Sequence, residues 1–248
     1  MGKGTALVTG GAGTLGEAIA VGLRDYGWDV RVVDRDQAVS EWTAPQGVRA
    51  DALDVTDFAA CRAYFAALDE LSVLVNCAGM ARLGLVREIG EQDWRDVLDL
   101  NLTAALRLTQ LSTDLLIASG YGSIVNITSI AGHRASFGRV AYGVSKAGLL
   151  QLTRQTALEY APLGIRCNSV SPGPVDSALV RRSLSAEDYT EYLEDIPDNR
   201  MAQPHEVAHA VVFLASREAT YITGQDIAVD GGYLAGGAGI KKAQRLSP

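Results

Sequence analysis

Apolar residues along this chain gather in short continuous runs, separated by stretches with helical spacing. Thr5-Ala6-Leu7-Val8-Thr9 is the first run and reads as a strand. Beyond a glycine-rich stretch, Glu17 to Leu23 has the spacing of a helix. Val30 to Asp34 and Val48 to Val55 read as the second and third strands. Asp57 to Leu71 reads as a helix that Thr56 or Asp57 can cap. Ser72 to Asn76 is a fourth strand, closed by Cys77-Ala78-Gly79. Glu91 to Ser119 reads as a long helix with a break near Asn101, and Ser123 to Thr128 as the fifth strand. Ala141 to Tyr160 is a helix stopped by Pro162 and Gly164. Ile165 to Val170 gives the sixth strand, broken by Ser171-Pro172-Gly173-Pro174. A polar stretch of variable helicity, Ser177 to Arg200, precedes a helix with Pro204 in its first turn. Ile227 to Val229 is the last strand, before Gly231-Gly232.

Strands that are apolar throughout are buried on both faces. Alternating with helices, they predict an α/β fold: a Rossmann-type doubly wound parallel sheet of about seven strands with helices on both faces. No repeat and no linker interrupts the pattern. A single domain is expected over residues 1–233, with a substrate-side segment at about 177–203 and a C-terminal tail at 234–248.

Composition narrows the function classes. The 248 residues suffice for a full core, and 48% apolar with 21% charged is an ordinary soluble balance. A net charge of −7 leaves no basic field to attract nucleic acid or an anionic membrane. Cys61, Cys77 and Cys167 are widely spaced and odd in number, which suits buried thiols in a reducing compartment. His205 and His209 are four apart, but no Glu or Cys is expected to join them as an HExxH-type ligand set, so no metal is expected. No membrane-spanning run or secretory signal is seen, and a cytoplasmic location is expected.

Gly10-Gly11-Ala12-Gly13-Thr14-Leu15-Gly16 sits between the first strand and the first helix. That arrangement is a dinucleotide cradle: glycines let the backbone approach a pyrophosphate, and the helix N-terminus offers free N–H groups. Eighteen residues beyond Gly16, Asp34 ends the second strand, where a carboxylate accepts hydrogen bonds from the adenosine ribose of NAD. Its charge repels the 2′-phosphate of NADP, although Arg35 next to it could pair with one; NAD is therefore expected over NADP. Tyr142 and Lys146, four apart, share one helix face. A free phenol is too weak an acid to serve as a base near neutrality, and an ammonium about 4 Å away stabilises its anion by about 4 kcal/mol.

Together, Thr9-Gly10 with Gly16, Asp54, Asn76-Cys77-Ala78-Gly79, Asn101, Ser129, Tyr142-x3-Lys146 and Pro172-Gly173 resemble the short-chain dehydrogenase/reductase family. The likeness runs along essentially the whole chain, to Asp230-Gly231-Gly232-Tyr233. It implies that Tyr142 is the general acid/base, Lys146 its activator and a ribose ligand, and Ser129 the holder of the substrate oxygen. Ser129 is preferred to Ser136 or Ser145 because it lies thirteen residues before Tyr142. Asn101 is implied to distort its helix and seat a water beside Lys146. The implied cofactor contacts are Gly10, Thr14, Leu15 and Gly16 in the loop, with Asp34 and Arg35 at the second strand. Asp54 and Val55 are implied at the adenine, Asn76, Ala78 and Gly79 along the ribose, and Pro172, Val175 and Ser177 at the carboxamide. Thr14, Cys77 and Ser177 depart from the commoner glycine, asparagine and threonine.

The resemblance further implies a homotetramer or homodimer acting on a small alcohol or ketone, polyols and sugars included. A 3-oxoacyl-thioester reductase using NADPH is the alternative within the same chemistry, and a non-catalytic dinucleotide-binding regulator is the alternative outside it. Arg134 and Arg139, close to Ser129 and Tyr142 in sequence, are candidates to pair with an anionic substrate group or to lie on the surface.

Overall fold

The computed structural model describes residues 4–177, 189–190, 193–236 and 240–244. Its strands are β1 Thr5–Thr9, β2 Asp29–Asp34, β3 Val48–Ala52, β4 Val73–Asn76, β5 Gly122–Ile127, β6 Ile165–Pro172 and β7 Asp226–Val229. They form one sheet in the order β3-β2-β1-β4-β5-β6-β7, and each neighbouring pair is parallel. Between them run α1 Thr14–Tyr26, α2 Asp36–Glu41, α3 Phe58–Ala66, α4 Glu91–Leu98, α5 Ala104–Ala118, α6 Val140–Tyr160 and α7 Pro204–Ala215; α8 Ile240–Gln244 follows β7. The strand order reverses between β1 and β4. In such sheets ligands bind in the crevice beyond the carboxyl ends of the strands at that point.

Alternate residues of the strands feed two cores. Ala6 and Val8 of β1 and Val73 and Val75 of β4 pack with Ile19 and Leu23 of α1 and Val207 and Val211 of α7. Leu7 and Leu74 point to the opposite face and pack with Phe65 of α3 and Leu108 and Leu116 of α5. Each such leucine contributes about 2 kcal/mol by leaving water. Gly22 lets α1 approach α7, because a Cβ there would stand 3.1 Å from Val212 Cγ2.

Local signals place the helix ends. Gly27, at φ 104°, stops α1 in the left-handed conformation that glycine adopts without strain. Asp57 caps α3 by accepting the Ala60 N–H at 3.0 Å. Gln203 and Glu206 form a reciprocal capping box at the start of α7, with Pro204 in the first turn.

Several element bounds differ from the sequence expectation. β6 continues through Ser171 and Pro172, which pair with Ala228 and Val229 of β7; a proline ends a ladder harmlessly at the strand's last position. β3 stops at Ala52 because the Asp54 side chain accepts from Thr56 N and Oγ1 and turns the chain. α3 stops at Ala66, short of Leu71. α2 was not expected at all. The break near Asn101 is present: a π-helical turn, Asp99–Thr103, separates α4 from α5. Most of the 177–200 stretch and the end of the tail, Arg245 included, lie outside the described residues. No described helix is long and apolar enough to cross a membrane.

Candidate active site

The cradle forms at the end of β1. Gly10, at φ 67°, donates its N–H to the Val33 carbonyl at 2.8 Å and turns the chain across β2. Gly16 then abuts that turn: a Cβ on it would lie 2.2 Å from the Gly10 carbonyl oxygen. The helix cap Gly13 brings no side chain to the N-terminus of α1. Thr14 and Leu15, the first two helical residues, line a cavity of about 900 Å³. A glycine-walled turn leading into a helix start with no side-chain cap suits a phosphate group. The residues present therefore fit a nicotinamide dinucleotide.

Asp34 is half-buried at the end of β2. Its Oδ2 accepts from Ala12 N at 3.2 Å and its Oδ1 from Arg35 N at 2.9 Å, so the carboxylate is fixed beside the loop. Arg35 itself is exposed. Asp54 is exposed and Val55 buried in the turn after β3. Asn76, at the end of β4, donates to Asn126 Oδ1 at 2.8 Å and couples the two central strands. Its own Oδ1, like Trp28 Nε1, is buried without a partner. The Thr9 hydroxyl accepts from the N–H groups of Cys77 and Ala78, at 3.1 and 3.0 Å. That pins the Asn76–Gly79 segment against β1, a role of Thr9 that no motif announced.

Ser129, Tyr142 and Lys146 line the same cavity. Two glycines bring their elements together. Ser129 caps a 3₁₀ turn, Ile130–Gly132, and a Cβ on Gly132 would lie 2.9 Å from the Lys146 carbonyl carbon. A Cβ on Gly143 would lie 3.1 Å from the Ala131 carbonyl oxygen. The serine turn thus lies directly on the first turns of α6. Ser129 Oγ accepts the Ala131 N–H at 3.1 Å, which leaves its own proton to donate.

Lys146 is 4% exposed; its ammonium donates to the Ile127 carbonyl at 2.7 Å and stands 5.7 Å from the centroid of the Tyr142 ring. Asn101, in the π turn, accepts from Met80 N at 2.8 Å and donates to Met80 O at 2.9 Å and to Ser145 Oγ at 3.0 Å. Gly79 separates Asn101 from Lys146, with room only for its missing side chain: a Cβ there would be 3.3 Å from Asn101 Oδ1 and 3.4 Å from Lys146 Nζ. Ser145 is buried and occupied with Asn101 and the Tyr142 carbonyl, whereas Ser136 lines the cavity.

The cavity also brings in Gly79, Pro172, Val175 and Ser177. It does not reach Asp34, Arg35, Asp54 or Val55, at the ends of β2 and β3, nor Asn76 and Ala78 at the end of β4. Cys77 lines it, and desolvation pushes that thiol up to about 12, against a smaller downward pull from Lys146. Asp195, within the substrate-side segment expected at about 177–203, lines the cavity as well, together with Phe137 and Tyr233. They sit on loops with no local signal of their own.

The two arginines have different fates. Arg134 donates to the carbonyls of Leu234 and Gly236 at 2.7 and 2.9 Å and lies over the Tyr233 ring, so it holds the C-terminal segment. Arg139 lines the cavity. Contrary to the expectation for His205 and His209, the run His205-Glu206-Val207-Ala208-His209 does carry H-E-x-x-H spacing. Glu206 is nevertheless engaged elsewhere: a two-pronged pair with Arg200, followed by the Gln203 N–H, holds its carboxyl down at about 2. Among the described residues no group of three or more possible ligands is arranged for a metal.

Known proteins resemble this chain in sequence and fold. The family model described as enoyl-(acyl carrier protein) reductase matches residues 10–234. The 3-oxoacyl-(acyl-carrier-protein) reductase of Aquifex aeolicus is 37% identical, over 91% of this chain and 95% of that protein. The acetoacetyl-CoA reductase of Rhizobium meliloti is 35% identical, over 92% and 97% respectively. The ligand-free aldohexose dehydrogenase structure from Thermoplasma acidophilum superposes with a TM-score of 0.87 at 32% identity, covering 94% of this chain and 95% of that one.

Proposed function

We propose an activity from one premise: the chain belongs to the short-chain dehydrogenase/reductase family. It is an oxidoreductase that works with a nicotinamide cofactor. On our reading the cofactor is NAD, and the reaction interconverts a secondary alcohol, polyols and sugars included, with its ketone.

One observation carries this reading: Ser129, Tyr142 and Lys146 line a single cavity with the start of α1. The cofactor supplies or accepts the hydride when bound. Tyr142 removes the proton from the substrate hydroxyl, or returns it to the carbonyl oxygen in the reverse direction. Ser129 donates its free proton to that oxygen and stabilises the charge developing there. Lys146, buried with its ammonium 5.7 Å from the centroid of the Tyr142 ring, supplies the positive charge beside the phenol. Asn101 holds the helix break and the Met80 backbone in place beside it. Asp34, anchored by two backbone N–H groups, presents a fixed negative charge to the adenosine ribose and disfavours a phosphate there. Asp54, Val55, Asn76 and Ala78 complete that side; Pro172, Val175 and Ser177 wall the nicotinamide side.

A second reading, reduction of a 3-oxoacyl thioester, is favoured by the names of the two enzyme relatives, both of which are reductases of such compounds. We further propose a homotetramer, which light scattering at micromolar concentration would contradict by finding a monomer.

The test is a panel of alcohols, polyols, sugars and acyl thioesters, followed by nicotinamide absorbance with NAD and with NADP. Turnover is expected with NAD. Tyr142→Phe should then lower kcat by about 10²- to 10⁴-fold while NADH binding stays within about threefold. Turnover surviving in Tyr142→Phe refutes the catalytic assignment, and a preference for NADP refutes the role given to Asp34. Binding of NADH with no turnover across the panel would instead mark a regulator.

A further inference from the structure

Asp226, the first residue of β7, has no part in the roles assigned above, and its side chain is 12% exposed. Its carboxylate is the centre of a polar cluster. Oδ1 accepts the Ser169 hydroxyl at 2.5 Å and the Ser171 hydroxyl at 3.0 Å, and lies 3.2 Å from Thr128 Oγ1. Oδ2 lies 3.0 Å from His133 Nε2. A carboxylate only accepts, so the imidazole must turn an N–H toward it. Ser171 Oγ stands 2.8 Å from Thr128 Oγ1 and 3.1 Å from His133 Nε2, closing the cluster.

The cluster's reach matters more than its size. Joining β6 to β7 needs only Ser169 and Ser171, and the ladder between those strands does that already. Thr128 and His133 lie elsewhere: Thr128 immediately precedes Ser129, and His133 closes the 3₁₀ turn that Ser129 caps. One charged group from β7 therefore stands at both ends of the segment that aims the serine hydroxyl, bonded to His133 at one end and, at the other, beside a Thr128 hydroxyl that also reaches the Val170 carbonyl at 2.8 Å. Hydrogen bonds to an ionised acceptor are roughly twice as strong as neutral ones, which suits a fixed mount.

We propose that Asp226 is a positioning residue for Ser129, holding its hydroxyl toward the substrate oxygen through Thr128 and His133. This rests on the reading of Ser129 given above. Asp226→Asn keeps the volume and one acceptor oxygen but removes the charge and sets an amide against His133. A shift of the serine by about 1 Å is enough to cost up to about 10²-fold in rate.

The experiment is a cycle of Asp226→Asn, Ser129→Ala and the double variant, assayed with the best substrate of the panel. It is paired with amide hydrogen exchange over residues 128–134 of the full chain, which needs no substrate. Asp226→Asn should lower kcat about tenfold or more, with the KM for cofactor within about twofold. It should leave the residual rate of Ser129→Ala unchanged within about twofold. Exchange should speed up in 128–134 and not in β4. An equal loss in both backgrounds, no loss in the native one, or unchanged exchange would overturn the proposal. If Ser129→Ala alone loses nothing, the serine's own assignment fails, and that result is distinct from the others. Should Asp226→Asn not fold, His133→Leu removes one arm of the grip and is expected to give a smaller loss with the same dependence on Ser129.

Discussion

Gly16→Ala tests whether the cradle binds through its shape. The added Cβ would stand 2.2 Å from the Gly10 carbonyl oxygen and 2.8 Å from Gly11 Cα. Both obstacles are backbone, so no side chain can swing aside, and the turn and α1 must part by roughly 1 Å. Forced overpacking of this kind costs about 1–3 kcal/mol. At about 2–4 °C per kcal/mol for a chain of this size, the ligand-free protein should melt about 2–12 °C lower. Gly13, three residues earlier, is the control. Its φ is −79°, and a Cβ there meets only the Gly10 oxygen at 3.4 Å. Gly13→Ala should therefore melt unchanged or slightly higher, because alanine loses less chain entropy on folding. Differential scanning calorimetry supplies the melting points, and a fluorescence titration with NADH supplies the affinity. Gly16→Ala should bind NADH at least about tenfold more weakly, since the turn and the helix N–H groups shift together. A Gly16→Ala protein that melts within about 1 °C of the parent, or a Gly13→Ala protein that loses as much, would refute the close-approach argument.

Two further outcomes follow from groups outside the cavity. Glu206 is held down at about 2 in the folded chain by Arg200 and then the Gln203 N–H, below its ordinary value of 4.5. A depressed carboxylate contributes stability above its unfolded value and loses it as pH falls toward the folded one. The difference in melting temperature between the parent and Glu206→Gln should thus be constant above about pH 5 and fade between about pH 4.5 and 2; a difference that grows with acid would contradict it. Arg166 is buried on β6 and bonds no carboxylate among the described residues, donating to the carbonyls of Leu214 at 2.8 Å and Ser216 at 3.2 Å and to the Tyr121 hydroxyl at 3.1 Å. Arg166→Met removes these charge-assisted bonds, leaving Leu214 O to the Ser123 hydroxyl and Ser216 O to the Ala219 N–H, and should cost about 1–3 kcal/mol in a denaturant titration, with kcat of the folded enzyme unchanged.

Much of the fold could be read from the chain because its signals are local. Continuous apolar runs between helical stretches describe a two-faced parallel sheet. Gly27 and Pro204 mark helix ends by restricting one backbone angle each. Even the break near Asn101 was legible. The strand ends were less so. Where β6 stops depends on whether β7 offers partners to Ser171 and Pro172, and nothing within either segment states that pairing. The turn after β3 depends on an aspartate bonding two residues ahead, a pattern equally common in loops and helix starts.

The site divides in the same way. Residues whose chemistry is intrinsic, such as Tyr142, Lys146, Asp34 and the loop glycines, announce themselves by type and spacing. Residues that act by holding others do not. Thr9 looks like the end of a strand, yet its hydroxyl pins the segment carrying Gly79, 69 positions or so downstream by its bond to Ala78. Gly132 and Gly143 look like loop and helix glycines, yet they set the closeness of the serine turn to α6. Arg134 was open to an anionic partner or to the surface, but the end of the chain returns to supply its carbonyls 100 and 102 residues away. His133 meets Asp226 across 93 residues. The H-E-x-x-H run makes the converse point. Its spacing is intrinsic, but Arg200 lies six residues before Glu206 and claims the carboxylate for a helix start. A motif therefore shows what chemistry a residue can perform; the partners brought to it by the fold decide whether it is free to perform it.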